Sequence, residues 1–213
     1  MSAETVKRSR PYDSSGRRRR AAEIRARIVS AATTCFLRDG YAGTTMARVA
    51  ADAGVSVESL YKAFGNKPGL ARAVWQQALH GQGATRAEER SDTLASTERD
   101  PRAVIRHWAR LSAEVGALAA PLLSVLRAAA LVDPGAGTVL DEIEEARAQR
   151  MLHNAAYLAN GGHLRPGVST AMARDVMLVY SVALYEPLVV RAGWSHRDYA
   201  SLIERSLCAA LLT

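Results

Sequence analysis

The sequence predicts an all-α fold. Alanine and leucine dominate the chain while aromatic residues make up only 6%, a bias toward strong helix formers. Apolar residues recur at spacings near 3.6, and no segment alternates with the period of two that a half-buried strand requires. The breaks between periodic stretches carry helix-end residues, with Ser, Thr, Asp or Asn before them and Gly after. At 213 residues, 48% apolar and 23% charged, the chain can bury a sizeable core as one or two compact domains.

The elements follow in order. Residues 1–20, with "KRSRPYDSSGRRRR", read as a mobile basic arm. A first helix begins at Ala21, with one apolar face at Ile24, Ile28, Ala31, Cys35 and Phe36, and Gly40 is expected to end it in the left-handed region. Thr44 is read as the N-cap of a short second helix with Met46, Val49 and Ala50 inward, stopped by Gly54. Ser56 caps a third, 57–64, burying Leu60 and Phe64. Asn66 caps a fourth carrying Leu70, Val74 and Leu79, with Pro68 in its first turn. The polar stretch 81–100 must end or bend that helix. Asp100 and Pro101 then open a helix over 100–116, a nearly all-apolar one follows over 117–132, and "DPGAG" (133–137) reads as a loop. Val139, Ile143, Ala146, Met151, Ala155 and Leu158 mark a long helix closed by Gly161 and Gly162. Residues 169–192 read as a helix apolar nearly all round, hence buried on more than one side. Ser195 and Asp198 form a capping box for the last helix, 196–212. Nine or ten helices are expected.

The formal charge of +7 is unevenly spread. Residues 1–80 hold 14 Lys/Arg against 6 Asp/Glu, whereas residues 81–213 hold 14 Arg against 15 Asp/Glu. A first third at +8 points to a polyanion, with nucleic acid ahead of an anionic membrane surface. Two cysteines, Cys35 and Cys208, have no metal-type spacing, which fits a reducing cytoplasm. The longest apolar run, 176–190, is short for a membrane span and contains Glu186 and Pro187, and the charged N-terminus is not a secretory signal.

The "AGVS" turn between the second and third helices has the form of a helix-turn-helix. A helix fits the major groove of DNA and its N-terminal residues reach base edges. Val55 and Leu60 lock the two helices, which leaves Ser56, Val57, Glu58, Ser59, Tyr61, Lys62 and Ala63 on the open face. Lys62 and Lys67 can each neutralise a phosphate, as can the second helix's N-terminus through Thr44 and Thr45.

Residues 27–79 resemble the DNA-binding domain of the TetR family of transcriptional repressors. The resemblance rests on Ala31–Ala32 with Phe36, Gly40–Tyr41, Thr44–Thr45, Val49–Ala50, Ala53-Gly54-Val55-Ser56, Leu60–Tyr61, Phe64, and Lys67 with Leu70, in unbroken order over a quarter of the chain. It implies a helix-turn-helix domain (21–81) joined to a helical-bundle ligand-binding and dimerisation domain (82–213). A homodimer through the last two helices and a small-molecule pocket are also implied. By position, Thr44, Thr45, Tyr61 and Lys67 would hold phosphate, while Met46, Val57, Glu58 and Ser59 would face bases. Three positions depart from the pattern. Val57 stands where polar or basic residues are common, Glu58 replaces a small residue, and Ala63 stands where an aromatic or histidine often meets the backbone. Glu58 is either a solvated side chain or an acceptor for a cytosine amino group. Arg17, Arg18, Arg19 and Arg20 are either a solvated charge run or an arm entering an adjacent minor groove.

In the second part, Trp108, Tyr157 and Tyr180 fall on apolar helix faces, as core or as pocket wall. Arg127 is a lone charge in an apolar helix, either emerging at a wet face or needing a partner such as an anionic ligand. His107, His153 and His163 have no i,i+4 partners, so no metal site and no cofactor are expected. No nucleophile elbow, zincin or P-loop motif occurs, so no catalysis is expected. The reading is a cytoplasmic, homodimeric repressor released from a palindromic operator by a small-molecule inducer. The alternatives are an activator or ligand-independent regulator of the same fold, or a helical enzyme with a nucleic-acid anchor.

Overall fold

The computed structural model describes residues 15–81 and 83–213. Among them are nine α-helices, a π-helical segment and no strand. The helices are α1 (Ser15–Gly43), α2 (Met46–Ala53), α3 (Val57–Phe64), α4 (Lys67–Ala78), α5 (Ala87–Thr97), α6 (Pro101–Ala130), α7 (Pro134–Asn160), α8 (Thr170–Tyr180) and α9 (His196–Leu211). The π segment Glu186–Arg191 lies between α8 and α9.

Helices α1–α4 close around Ile28, Phe36, Val49, Leu60 and Leu70, all essentially buried. In the larger part, α6 packs against α7 and α9 while α8 lies on α7, burying Ile105, Leu122, Leu126, Leu158 and Ile203. The two parts share one continuous apolar cluster, because α1 also lies on α6 and α4 touches both α6 and α7.

Several boundaries stand where the sequence places them. Ser56, Asn66, Asp100, Ser169 and Ser195 each accept a backbone N–H in the following first turn. These caps satisfy amides that have no intrahelical partner.

Other boundaries differ. Residues 15–20 are helical, so the basic run opens α1; residues 1–14 of the expected arm lie outside the described residues. Gly40 (φ 72°, ψ 173°) interrupts α1 in an extended mirror-image conformation rather than the left-handed helical one. The cap of α2 is Thr45, one residue later than expected, with its side chain accepting from the Arg48 N–H at 3.1 Å.

The polar stretch contains a helix of its own, α5. Only Ala87 and Ser91 on it are buried, so it shows almost no apolar period, and it is pinned instead by the Arg90–Glu114 pair at 2.8 Å. The two helices expected over 100–132 are one. Burial of Ala113, Val115, Ala119, Leu122 and Leu123 holds α6 together across Pro121, whose missing N–H would otherwise break it. "DPGAG" is not a loop: Asp133 caps α7 and Pro134 occupies its first turn.

The helix expected over 169–192 breaks after Tyr180. Pro187 cannot donate to Ala183, and the chain widens, the Ala192 N–H reaching back five residues to the Pro187 carbonyl at 3.2 Å. The freed Ser181 carbonyl accepts from the Tyr199 hydroxyl at 2.8 Å. By length and composition α6 is apolar enough to cross a membrane, but half of that stretch is buried inside the fold.

Candidate nucleic-acid interface and interior cavity

The turn between α2 and α3 is built by Gly54 at φ 64° and ψ 42°, a left-handed conformation that side chains resist. The Val55 N–H then returns to the Ala50 carbonyl at 3.0 Å. The Ser56 hydroxyl accepts from the Ser59 N–H at 3.1 Å and donates to the Ser59 hydroxyl at 2.8 Å. Leu60 and Phe64 face the core.

That leaves an open face on α3 carrying Val57, Glu58, Tyr61 and Lys62, where Val57 and Tyr61, and Glu58 and Lys62, stand four apart and so side by side. Tyr61 is 49% exposed and Val57 40%, so neither is a core residue. Glu58 sits in the first turn, where a carboxylate favours the helix dipole.

Three residues expected at this interface are used internally instead. Thr44 is buried, its hydroxyl donating to the Gly40 carbonyl at 2.8 Å. Met46 is buried as the first inward residue of α2. Lys67 donates to the Tyr41 and Thr44 carbonyls at 2.9 and 3.2 Å and lies 4.4 Å from the Tyr41 ring centre. It therefore clamps the end of α1 to the start of α4 and keeps one of its three donors.

Thr45 remains exposed at the start of α2. Arg17, Arg18, Arg19 and Arg20 are exposed on the first turns of α1. Arg25, which sequence reasoning passed over, lies 4.5 Å from the Phe64 ring centre and donates to the Ala63 carbonyl at the end of α3. Its signal was present: Arg18 and Arg25 are two helical turns apart, so the basic run continues along one face.

A cavity of about 130 Å³ lies in the larger part. Its apolar walls include Trp75, Leu79, Trp108, Leu111, Met177 and Leu207. Polar groups enter from Ser91, Ser112, Arg147, Arg150, Asn154 and Tyr180. Of the expected pocket residues, Trp108 and Tyr180 line it and two do not. Tyr157 turns its ring edge against Trp108 and donates to the Glu98 carbonyl at 3.0 Å. Arg127 reaches a wet face and pairs with Glu144 at 2.6 Å.

The charged residues in the wall are Arg147 and Arg150 together with Glu88, which pairs with Arg86 at 2.8 Å. The arginines share the inward stripe of α7 with Ile143 and Asn154, and that spacing was the missed signal. Burial holds the Arg147 guanidinium below the usual arginine range, against the pull of Glu144, and the charge of Arg127 acts in the same direction as burial.

Ser91 is the centre of a buried network, accepting from Trp108 Nε1 and Arg150 Nη2, each at 2.8 Å. Ser91→Ala leaves the buried Trp108 Nε1 donor without its acceptor, while Arg150 keeps Asp92 and Asn154, and an expected loss of about 1–3 kcal/mol follows in urea unfolding. A loss below about 0.5 kcal/mol, the range of inert surface changes, would mean that this serine does not organise the network. Among the described residues no group of three His, Cys, Asp or Glu side chains is clustered to hold a metal ion.

Residues 28–74 match the family model described as bacterial regulatory proteins, tetR family. This segment belongs to the TetR family. The TetR-type segment spans α2 and α3 and most of α1 and α4. Solved structures extend the likeness over the chain. NalD of Pseudomonas aeruginosa, the secondary repressor of the MexAB-OprM multidrug efflux pump, is 18% identical with a TM-score of 0.70 over 90% of this chain and 98% of its own. FadR of Bacillus halodurans, a fatty acid degradation regulator, is 14% identical with a TM-score of 0.70 over 94% of this chain and 96% of its own. No curated protein sequence matches. The chain thus has the fold of a TetR-family transcriptional regulator, with the TetR helix-turn-helix at its N-terminal end.

Proposed function

We propose that the chain is a homodimeric transcriptional repressor that binds a palindromic DNA operator and leaves it when a small molecule fills the interior cavity. Residues 21–81 form its DNA-binding part, residues 82–213 its ligand-binding and dimerisation part, and the cytoplasm is its location. The observation that carries the reading is the placement of α4. Its first turn is tied to the reading unit, Lys67 to the end of α1 and Asn66 beside α3. Two turns later, Trp75 and Leu79 form the cavity wall. Between them Arg72 pairs with Glu142 of α7 at 2.5 and 2.7 Å. A ligand that displaces Trp75 therefore acts on the element that holds α3.

In this reading Tyr61, Lys62, Thr45 and the basic start of α1, Arg17 to Arg20 with Arg25, contact phosphates. Val57, Glu58, Ser59 and Ser56 meet base edges, an apolar side chain suiting a thymine methyl and a carboxylate a cytosine amino group. Two copies would pair through the outward faces of α8, the π segment and α9. Met172, Val179 and Val190 are more than half exposed there, apolar surface that a second copy would remove from water. A twofold axis then sets the two α3 helices about 34–36 Å apart on successive major grooves. A ligand that prefers a differently spaced dimer shifts the population off DNA, and DNA weakens that ligand by the same factor. The repressor and regulator relatives named above support this reading.

A gel shift with the DNA upstream of the protein's own gene tests it. Specific, salt-sensitive binding is expected, and binding indifferent to sequence would remove the repressor reading. Lys62→Ala is expected to weaken binding to every sequence alike and to reduce the salt slope by about one phosphate contact. Tyr61→Ala should weaken binding without changing the dimer. An unaltered salt slope in Lys62→Ala would take that lysine off the DNA.

A further inference from the structure

We propose that the cavity selects an amphipathic monoanion, its carboxylate held by Arg147 and its apolar body lying along Trp75, Trp108 and Leu111. This deepens the ligand-released reading above, on which it rests, by naming the chemical class of the ligand.

The charges around the cavity are sorted by depth. The Arg147 and Arg150 side chains are 11% and 16% exposed, whereas their carboxylate partners, Glu144 and Asp92, are 35% and 48% exposed. Positive groups thus line the dry side and negative groups stand behind them in the wet layer. Glu88, the acid that also reaches the wall, pairs with Arg86.

The two arginines differ in what they still offer. Arg150 is committed: its Nη2 meets acceptors on Ser91, Asp92 and Asn154 at 2.6–2.8 Å, and its Nη1 meets Asp92. Arg147 donates from Nη1 to Glu144 and from Nη2 to Ser181 Oγ at 2.9 Å. Those two bonds occupy two of its five N–H donors. Glu144 is moreover shared with Arg127, so one carboxylate serves two guanidinium groups. A buried cation with half a counter-charge is the residue that gains most from an incoming anion, and a guanidinium fork suits a carboxylate. Ser112 and Tyr180 add hydroxyl donors, and the remaining wall is mostly apolar. A volume of about 130 Å³ holds on the order of ten water-sized groups, the size of an eight-carbon carboxylate.

The test compares three probes of one shape, octanoate, 1-octanol and octylammonium, titrated into the full chain by calorimetry and by the fluorescence of Trp75 and Trp108. Octanoate is expected to bind about ten- to a hundred-fold tighter than octanol, and octylammonium more weakly than either. Arg147→Gln should bring octanoate down to the level of octanol and leave octanol unchanged, while Arg147→Lys keeps a preference for the acid. Equal affinity for octanoate and octanol, a preference for octylammonium, no binding of any probe, or an unchanged preference in Arg147→Gln would overturn the inference. Should Arg147→Gln fail to fold, the three probes on the unaltered chain and the lysine variant still decide. Operator release with the same probes separates the two readings. Octanoate that binds as expected yet leaves operator affinity unchanged overturns ligand release alone. Octanol that binds better and releases the operator overturns the anion alone.

Discussion

Gly69→Ala is expected to destabilise the protein by about 2–4 kcal/mol, although the same change in an ordinary helix stabilises by roughly 0.5–1 kcal/mol. The sign is reversed by what lies over the residue. A Cβ at Gly69 would come under 3.0 Å from the Phe64 carbonyl oxygen and 3.3 Å from Asn66 Oδ1. The first is backbone at the end of α3, which has no rotamer to move to. The second is the cap that accepts the Gly69 N–H at 2.8 Å. The clash can be relieved only by pushing α3 off α4 or by giving up the cap. Leu60 and Phe64, buried between these helices, would shift with it. Urea unfolding should therefore show a lower midpoint, and operator binding should weaken because α3 is no longer held in register. A variant more stable than the parent would mean that α3 and α4 do not meet in this way.

Val179→Glu combined with Val190→Glu is expected to leave each protomer folded and to abolish the dimer. Both valines are more than half exposed, so the isolated fold should change by no more than about 0.5 kcal/mol. In a twofold pair each substitution appears twice, and four carboxylates would then be desolvated in the contact. Sedimentation should give a single protomer mass. Operator affinity should fall by about 10²–10⁴-fold, the advantage that linking two half-site readers provides. A variant that remains dimeric would move the interface away from the outer faces of α8 and the π segment.

Helix α3 was legible because its determinants are local. A glycine at the turn, a serine cap and Leu60 and Phe64 four residues apart leave Val57, Glu58, Tyr61 and Lys62 outward whatever the rest of the chain does. The same reasoning failed at Thr44 and Lys67. Both are polar residues next to helix starts, and sequence sees only that they can bind phosphate. The folded chain turns the Thr44 hydroxyl to Gly40, four residues back, and the Lys67 ammonium to two carbonyls 26 and 23 positions away. Helix α5 was invisible because a short helix with two small buried residues has no apolar stripe. Pro121 and Pro187 are alike in sequence yet act differently. Around Pro121 the helix buries Ala119, Ala120, Leu122 and Leu123 and persists, whereas residues 181–186 before Pro187 bury only Val182 and Tyr185 and the chain widens.

The sequence by itself determined an all-helical chain, a basic first third and a helix-turn-helix of TetR type, because composition, 3.6-residue periodicity and capping act over a few residues. The tertiary structure alone decided which charged side chains face inward. Arg127 stands among apolar residues in the sequence, whereas Arg147 stands in the charged stretch EEARAQR. Arg127 emerges beside Glu144 at a wet face, while Arg147, on the neighbouring helix, is turned into the cavity. The 143, 147, 150, 154 spacing puts Arg147 on one stripe of α7, but only long-range packing turns that stripe inward.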